Sequence, residues 1–266
     1  MTPRVSVLIG AFNNAGTLRR AAESILRQTV GDLELVIIDD GSTDRTAAVA
    51  AGIEAGDPRV RLLPMGENVG ISRSLNAGLL AARGAIVAVQ DADDHSDERR
   101  IERELAVLDE DPAVAVVGCR MREVDESGRP LAARTTFAAG DVRGVLMRFN
   151  PIPNTSAAFR RAAVLELGGY DPRYRYAMEY DLWLRLAERH LVVALDETLA
   201  TRVMGTANVA ARAERAQNAE AIVIRLRALR RRRTLRGVDG LVLPAISQLT
   251  PTALKRARRR RLGQAP

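Results

Sequence analysis

The sequence predicts an α/β fold: a Rossmann-like, mostly parallel sheet flanked by helices, with a basic helical extension at its C-terminal end. Three observations lead there. Strand and helix patterns alternate through the first 120 residues, as stacked βαβ units require. The 266 residues are 47% hydrophobic and 27% charged, the balance of a soluble globular chain with room for one large α/β domain and an appendage. Charge is unevenly spread: residues 202–266 carry 16 basic and 3 acidic side chains, leaving 24 basic and 30 acidic over residues 1–201.

The β-branched run Val5–Ile9 predicts the first strand, followed by the polar turn Asn13-Asn14-Ala15-Gly16. Leu18, Ala21, Ala22, Ile25 and Leu26 then fall at the spacing of an amphipathic helix over residues 17–28. Leu33–Ile38 predicts the second strand, which runs into Asp39-Asp40-Gly41-Ser42-Thr43-Asp44, where Ser42 or Thr43 can cap the next helix. A strand at Val60–Leu63 and a helix at Ile71–Arg83 come next. A fourth strand, Ala85–Val89, ends directly in Asp91-Ala92-Asp93-Asp94. A helix near Asp97–Asp109 and a fifth strand at Val114–Gly118 complete the regular part.

Residues 121–160 hold turn signals and only short patterns. A helix at Tyr180–Arg189, a strand at Leu191–Leu195 and an Arg-rich helical stretch from Val209, with Ile222, Leu226 and Leu229 at helical spacing, follow. The expected division is a domain over 1–203, with ligand binding in 1–120 and the acceptor side in 121–203, and a basic extension over 204–266.

Several function classes are excluded by what is missing. Aromatics at 3% are too few for base-stacking platforms, so no nucleic-acid partner is expected. The single cysteine, Cys119, builds neither a disulfide framework nor a thiolate cluster and reads as a buried thiol. No Gly-x-Gly-x-x-Gly follows the first strand, and no Gly-x-x-x-x-Gly-Lys occurs anywhere. Met1–Val7 offers no signal peptide and no segment is long and apolar enough to span a bilayer, so a cytoplasmic location is expected. Of the two histidines, His95 reads as a solvated loop residue and His190 as a helix-end residue facing the dipole.

In an open α/β sheet, ligands bind beyond the carboxyl ends of the parallel strands. Three such ends carry chemistry here: Gly10-Ala11-Phe12-Asn13, Asp39-Asp40 and Asp91-Ala92-Asp93-Asp94. Carboxylates at neighbouring strand ends repel one another unless a cation or a donor-rich ligand joins them. The pattern therefore points to a metal bridging to an anion such as a diphosphate.

These segments resemble the family 2 inverting glycosyltransferases of the GT-A fold. The resemblance runs through Ile37-Ile38-Asp39-Asp40-Gly41-Ser42-Thr43-Asp44, Glu67-Asn68-Val69-Gly70, Ser72-Arg73, the Asp-x-Asp motif Asp91–Asp93, Arg100, Ala157-Ala158-Phe159-Arg160, Gly168-Gly169-Tyr170-Asp171 and Tyr180-Asp181-Leu182-Trp183. It implies that Gly10, Ala11, Phe12 and Asn13 line the base and ribose and that Asp39 and Asp40 lie at the nucleotide, with Asp40 on the base. It implies further that Arg73, Asp91 and Ala92 approach the nucleotide, and that Asp93, with Asp91, holds Mn2+ or Mg2+ on the diphosphate of a UDP-sugar.

Inverting transfer needs a carboxylate to take the acceptor's proton. Where the family usually has Asp, this chain has Glu179, and Asp181 is the competing candidate. Two residues apart on a helix is about 200° of rotation, so the two cannot share one site; Asp181 is four residues before Arg185, the spacing of a surface ion pair. The chain departs from the family in Gly10 for Pro, in Asn154 and Thr155 where a His often stands, and in Met204 at another His position. The Gln-x-x-Arg-Trp signature of processive relatives is absent, so transfer of one sugar to a glycan or lipid-linked acceptor is implied. A degenerate sugar-nucleotide binder and a nucleotidyltransferase are the competing readings. Arg230–Arg233 and Arg256–Arg261 suit an anionic membrane surface.

Overall fold

The computed structural model describes residues 2–131, 137–204 and 207–232, with side chains in the last helix from residue 215. The elements in chain order are β1 (Val5–Ala11), α1 (Leu18–Leu26), β2 (Leu33–Asp39), α2 (Thr46–Gly56), β3 (Val60–Pro64), α3 (Ile71–Ala81), β4 (Ile86–Val89), β5 (His95–Ser96) and α4 (Arg100–Glu110). There follow β6 (Val114–Asp125), β7 (Gly140–Asp141), a 3-10 turn at Asn154–Ser156, β8 (Ala157–Arg160), α5 (Arg161–Glu166), α6 (Met178–Leu186), β9 (Leu191–Met204) and α7 (Ala207–Arg232).

Among the described residues nine strands form one sheet, in the order β3-β2-β1-β4-β8-β6-β9-β5 with β7 on β9. The first four are parallel, as expected. The rest is mixed: β8 runs antiparallel between β4 and β6, and β9 returns parallel to β6. The predicted fifth strand therefore does not lie beside the fourth. Ala157-Ala158-Phe159-Arg160 fills that gap, and four residues are too few for periodicity to announce a strand. Gly118 of β6 has a local reason: a Cβ there would sit 2.4 Å from Ile152 Cγ2.

The sheet is covered on both faces. Val5, Val7, Ile9, Leu35 and Ile37 pack with Leu18, Ile25, Ile53, Ile101 and Leu105 on one side. On the other, Leu8, Val36, Ile38 and Val89 pack with Leu75 and Leu79 of α3, and Trp183 of α6 joins the same core. Burial on two faces explains why the parallel strands read as continuous apolar runs.

Several local expectations shift. Neither Ser42 nor Thr43 caps the helix after β2: its N-cap position is Arg45, Asp44 Oδ1 just before it accepts the Thr46 N–H at 2.8 Å, and Ser42 and Thr43 bond Asn13 instead. The strand expected to stop at Leu195 continues to Met204 because β6 extends alongside it. His95 is not a solvated loop residue: it lies half-buried in β5, in register with Thr201. Cys119 is buried, and burial pushes its thiol up, as a structural thiol requires.

Helix α7 bears on the expected boundary at 203/204. Ala221, Ile224, Arg225, Ala228 and Leu229 are buried, and the four apolar ones join the same core as α6. Leu226 of the predicted stripe is 51% exposed instead. Leu229 of the stripe is buried as expected, and the packed face runs through it with Ala221, Ile224 and Ala228. Residues 233–266, with half of the basic residues counted from 202 onward and including Arg256–Arg261, lie outside the described residues. No helix among the described residues is long and apolar enough to cross a membrane.

Candidate active site

The turns after β1 and β2 are stitched together before any ligand arrives. Asn13 adopts φ 58°, and its Oδ1 accepts N–H bonds from Thr43 at 2.9 Å and Asp44 at 3.3 Å. Its own N–H reaches Ser42 Oγ at 3.1 Å. Asn tolerates this left-handed conformation better than most residues. Ala11 is buried and Gly10 half-buried, whereas the Phe12 ring is 42% exposed at the strand end, open to stacking. Asp39 is buried and its Oδ1 accepts the Ser42 N–H at 3.3 Å.

Asp40 uses both carboxylate oxygens on the loop before α3, accepting from Val69 N at 2.9 Å and Gly70 N at 3.0 Å. Gly41 permits that approach, since a Cβ there would fall 2.4 Å from the backbone carbon of Glu67 and its φ is +71°. Asp40 thereby sets the start of α3, where Arg73 stands exposed.

The end of β4 is braced from below. Thr155 Oγ1 accepts the Asp91 N–H at 2.9 Å and the Gln90 amide at 3.2 Å. The fully buried Arg100 donates to the carbonyls of Val89 (3.0 Å) and Thr155. This leaves Asp93 exposed, with Arg20 donating to its carbonyl at 3.1 Å, and Ala92 buried beneath it. Asp94 is buried; its Oδ1 accepts the Val203 N–H at 3.1 Å and its Oδ2 lies 4.0 Å from Arg202 Nε. Burial, and then the charge of Asp93, raises the Asp91 carboxyl above its usual range. Burial, and then the charge of Asp91, raises Asp94. Burial also pushes His95 down, helped by Arg20, Arg122 and Arg27.

Glu179 and Asp181 part company on α6. Asp181 is 2% exposed and pairs with Arg185 Nε at 2.7 Å, while Arg185 also donates to the carbonyls of Leu167 and Gly169. The predicted i,i+4 pair is present, but it is buried and ties α6 to the turn after α5. Glu179 faces a different way, onto the wall of a cavity of about 640 Å3 that Arg202, Asn150 and Arg225 also line. Asn150 donates to its Oε1 at 3.0 Å. Burial pushes Glu179 up to about 7, with Asp91 adding to the rise and Arg202 opposing it. Asp91, Asp93, Asp94, Glu179 and Arg202 thus form one interacting charge cluster at the carboxyl end of β4.

Helix α7 fixes the approach to Glu179. Glu220 accepts N–H bonds from Arg175 (3.0 Å), Tyr176 (2.8 Å) and Ala177 (2.9 Å), the residues leading into α6. Sequence reasoning missed Glu220, Arg202, Asn150 and Arg225. Each acts across at least 29 positions of chain, so no local pattern marks it. Asp94 and Thr155 were visible, the first as the last acid of the run and the second as a departure from His, but neither showed its partner.

Among the described residues no three His, Cys, Asp or Glu side chains converge into a ready-made metal cage. Asp91 and the exposed Asp93 still suit a hard divalent cation, which takes few protein oxygens when phosphates and water complete its shell. The raised carboxyls here are a concentration of negative charge that such an ion would offset. The residues fit the cation.

The family model described as Glycosyl transferase family 2 matches residues 6–167. The putative glycosyltransferase EpsE of Bacillus subtilis (strain 168) is 34% identical over 189 residues, covering 70% of this chain and 67% of that protein. Among solved structures, S. aureus TarS 1-349 in complex with UDP matches with a TM-score of 0.64 at 17% identity, over 83% of this chain; this chain spans 65% of that one. The mannosyltransferase PcManGT from Pyrobaculum calidifontis, in complex with GDP-Man and Mn2+, matches with a TM-score of 0.66 at 22% identity, over 92% of this chain and 74% of that one. The two structural likenesses concern the fold.

Proposed function

We infer the chemistry from one premise: this chain belongs to glycosyl transferase family 2. On that premise the cleft at the carboxyl end of β4 is an inverting, non-processive glycosyltransferase site. It moves one sugar from a nucleoside-diphosphate donor, a UDP-sugar, to a glycan or lipid-linked acceptor. The observation that carries this reading is the place of Glu179 on the cavity wall, within electrostatic reach of Asp91 at the end of β4. A carboxylate on the acceptor-side cavity and the acids of the donor-side strand end share one charge cluster. UDP in TarS, and GDP-Man with Mn2+ in PcManGT, are in keeping with it.

Phe12 stacks on the base, Asn13 and the backbone of Gly10 and Ala11 shape the pocket floor, and Asp39 and Asp40 hold the loops against the nucleotide. Arg73 faces the nucleotide from α3. Asp93, with Asp91, would hold Mn2+ or Mg2+, which when bound neutralises the departing diphosphate. Ionised Glu179 takes the proton of the acceptor hydroxyl as that oxygen attacks the anomeric carbon from the face opposite the diphosphate. The carbon–oxygen bond to the diphosphate breaks, its electron pair leaves with the nucleotide, and the configuration inverts. Asn150 orients the Glu179 carboxyl. Asp181 holds α6 through Arg185 and takes no proton. The basic residues beyond 232 attach the enzyme peripherally to an anionic membrane face, where lipid-linked acceptors reside.

A second reading, a sugar-nucleotide binder of weak turnover, draws on Arg202. Its guanidinium sits among Asp91, Asp94 and Glu179 and supplies from within the chain part of the positive charge a metal would bring. One experiment tests both. Thermal unfolding is followed with UDP, with and without Mn2+, and UDP-sugar hydrolysis is then timed. Stabilisation by UDP that requires Mn2+, with hydrolysis that Glu179→Gln removes, supports the enzyme. Metal-dependent stabilisation without hydrolysis or transfer supports the binder, and no stabilisation refutes both.

A further inference from the structure

The cavity beside Glu179 carries more positive charge than a neutral sugar calls for. Arg120, Arg122, Arg202 and Arg225 line it against two carboxylates, Glu123 and Glu179. Arg120 is already paired with Asp196 and lies over the Phe137 ring, and Arg202 faces Asp94. Arg225 differs. It is only 4% exposed; its Nε donates to Tyr180 Oη at 2.8 Å and its Nη2 to the Arg148 carbonyl at 2.9 Å, while the buried Nη1 has no acceptor. Among the described residues no carboxylate pairs with it.

A guanidinium stays charged at any working pH. The Tyr180 ring, 5.0 Å from the Arg225 Cζ, offsets part of the cost of burying it, but with neutral acceptors only and one nitrogen unbonded the charge is left without the partner an anion would supply. Its planar fork suits the paired oxygens of a phosphate or a carboxylate. Around it, Phe149, Pro151 and Pro153 give the cavity apolar walls of the kind sugar faces pack on. Arg122, exposed at the wall with its Nε bonded to Thr201 Oγ1 at 2.7 Å, adds a second cation.

We propose that the acceptor is acidic, carrying a phosphate or carboxylate beside the hydroxyl that reacts, and that Arg225 of α7 binds this group with Arg122 assisting. The proposal rests on the glycosyl-transfer reading and names the acceptor class for that site. Because Arg225 also bonds Tyr180, the neighbour of Glu179 on α6, the bound anion is tied to the helix that carries the base.

Binding of glucose 1-phosphate, glucuronic acid and glucose to the full chain loaded with UDP and Mn2+, measured by titration calorimetry or ligand-observed NMR, tests it. At least one acidic sugar should bind about 10- to 100-fold more tightly than glucose, the worth of hydrogen bonding to a charged group. Which of the two it is identifies the acid as phosphate or carboxylate. Arg225→Gln should abolish the preference and leave UDP binding unchanged, while Arg225→Lys should keep part of it. Equal binding of all three sugars by the unaltered protein overturns the proposal, as does a preference that survives Arg225→Gln. If Arg225 merely braces Tyr180, its variants weaken all three sugars alike, and the proposal falls. Should those variants lose their cooperative melt, Arg122→Gln at the exposed position decides: it should cut the preference several-fold, and an unchanged preference overturns the idea. Failure of the unaltered chain to bind UDP would instead overturn the glycosyl-transfer reading and this proposal with it.

Discussion

Replacing Glu179 with glutamine should move activity and stability in opposite directions, and the geometry sets both sizes. The amide side chain keeps an oxygen for the Asn150 amide, so the local packing survives while the proton acceptor is lost. Loss of a general base costs about 10²- to 10⁴-fold in rate, or roughly 3–5 kcal/mol of barrier. With Glu179 held up to about 7, the free enzyme should lose kcat/KM tenfold per pH unit well below neutrality and plateau above about 8. The variant should lose that limb. Stability runs the other way. A carboxyl whose folded pKa is raised binds its proton more tightly in the native state, so its contribution weakens the fold as pH climbs from about 4.5 through about 7. Glutamine removes the buried charge, and the variant should be more stable than the parent at pH 8, by up to about 3 kcal/mol, and equal to it near pH 4. Initial rates across pH 5–9 and urea melts at pH 4 and pH 8 provide the assay. An undiminished rate, or a variant that keeps the acidic limb, refutes Glu179 as base. Glu179→Asp, which restores the family's usual residue but withdraws the oxygens by about 1 Å, should be slower by on the order of a hundredfold.

Three further outcomes follow. Asp93→Asn, at an exposed position, should leave the ligand-free melt within about 0.5 kcal/mol of the parent; it should abolish the roughly 2.7 kcal/mol that UDP with Mn2+ gives at a hundred times its dissociation constant, read by thermal shift. Asp94→Asn should stabilise the metal-free protein at pH 8 and have little effect near pH 4, because burial and Asp91 raise its pKa; a destabilised variant at pH 8 would show that the Val203 and Arg202 contacts outweigh that strain. Glu220→Ala removes the acceptor of three N–H bonds leading into α6 and should cost about 1–3 kcal/mol in a denaturant melt. It should also lower kcat more than it raises KM, because Glu179 is no longer held in place; unchanged kcat would separate α7 from the site.

Much of this molecule was legible before folding. The β-branched runs of β1, β2 and β4, the acids at the ends of β2 and β4 and the apolar spacing of α1 and α3 are local features, and local features carry their own period. Even the separation of Glu179 from Asp181 followed from helix geometry, although the burial of the Asp181–Arg185 pair did not. Contacts made across long stretches of chain were illegible. Nothing local tells Ala157–Arg160 to slip antiparallel between β4 and β6, or Thr155 to hold the Asp91 N–H. The α7 stripe was read on Ile222, Leu226 and Leu229; Leu229 is buried, but the packed face runs through Ala221, Ile224 and Ala228 while Leu226 is exposed, because the face that packs is chosen by a partner surface the helix does not encode by itself.

Which residue types stand at which strand ends was therefore determined by the sequence: residue type and alternation are properties of neighbours in the chain. Which of them meet was decided by tertiary structure alone. Asp91 and Glu179 are brought into one field, and Arg202 between the acids, only when the sheet closes and burial lowers the local dielectric. Charge interactions of that strength exist nowhere along the extended chain.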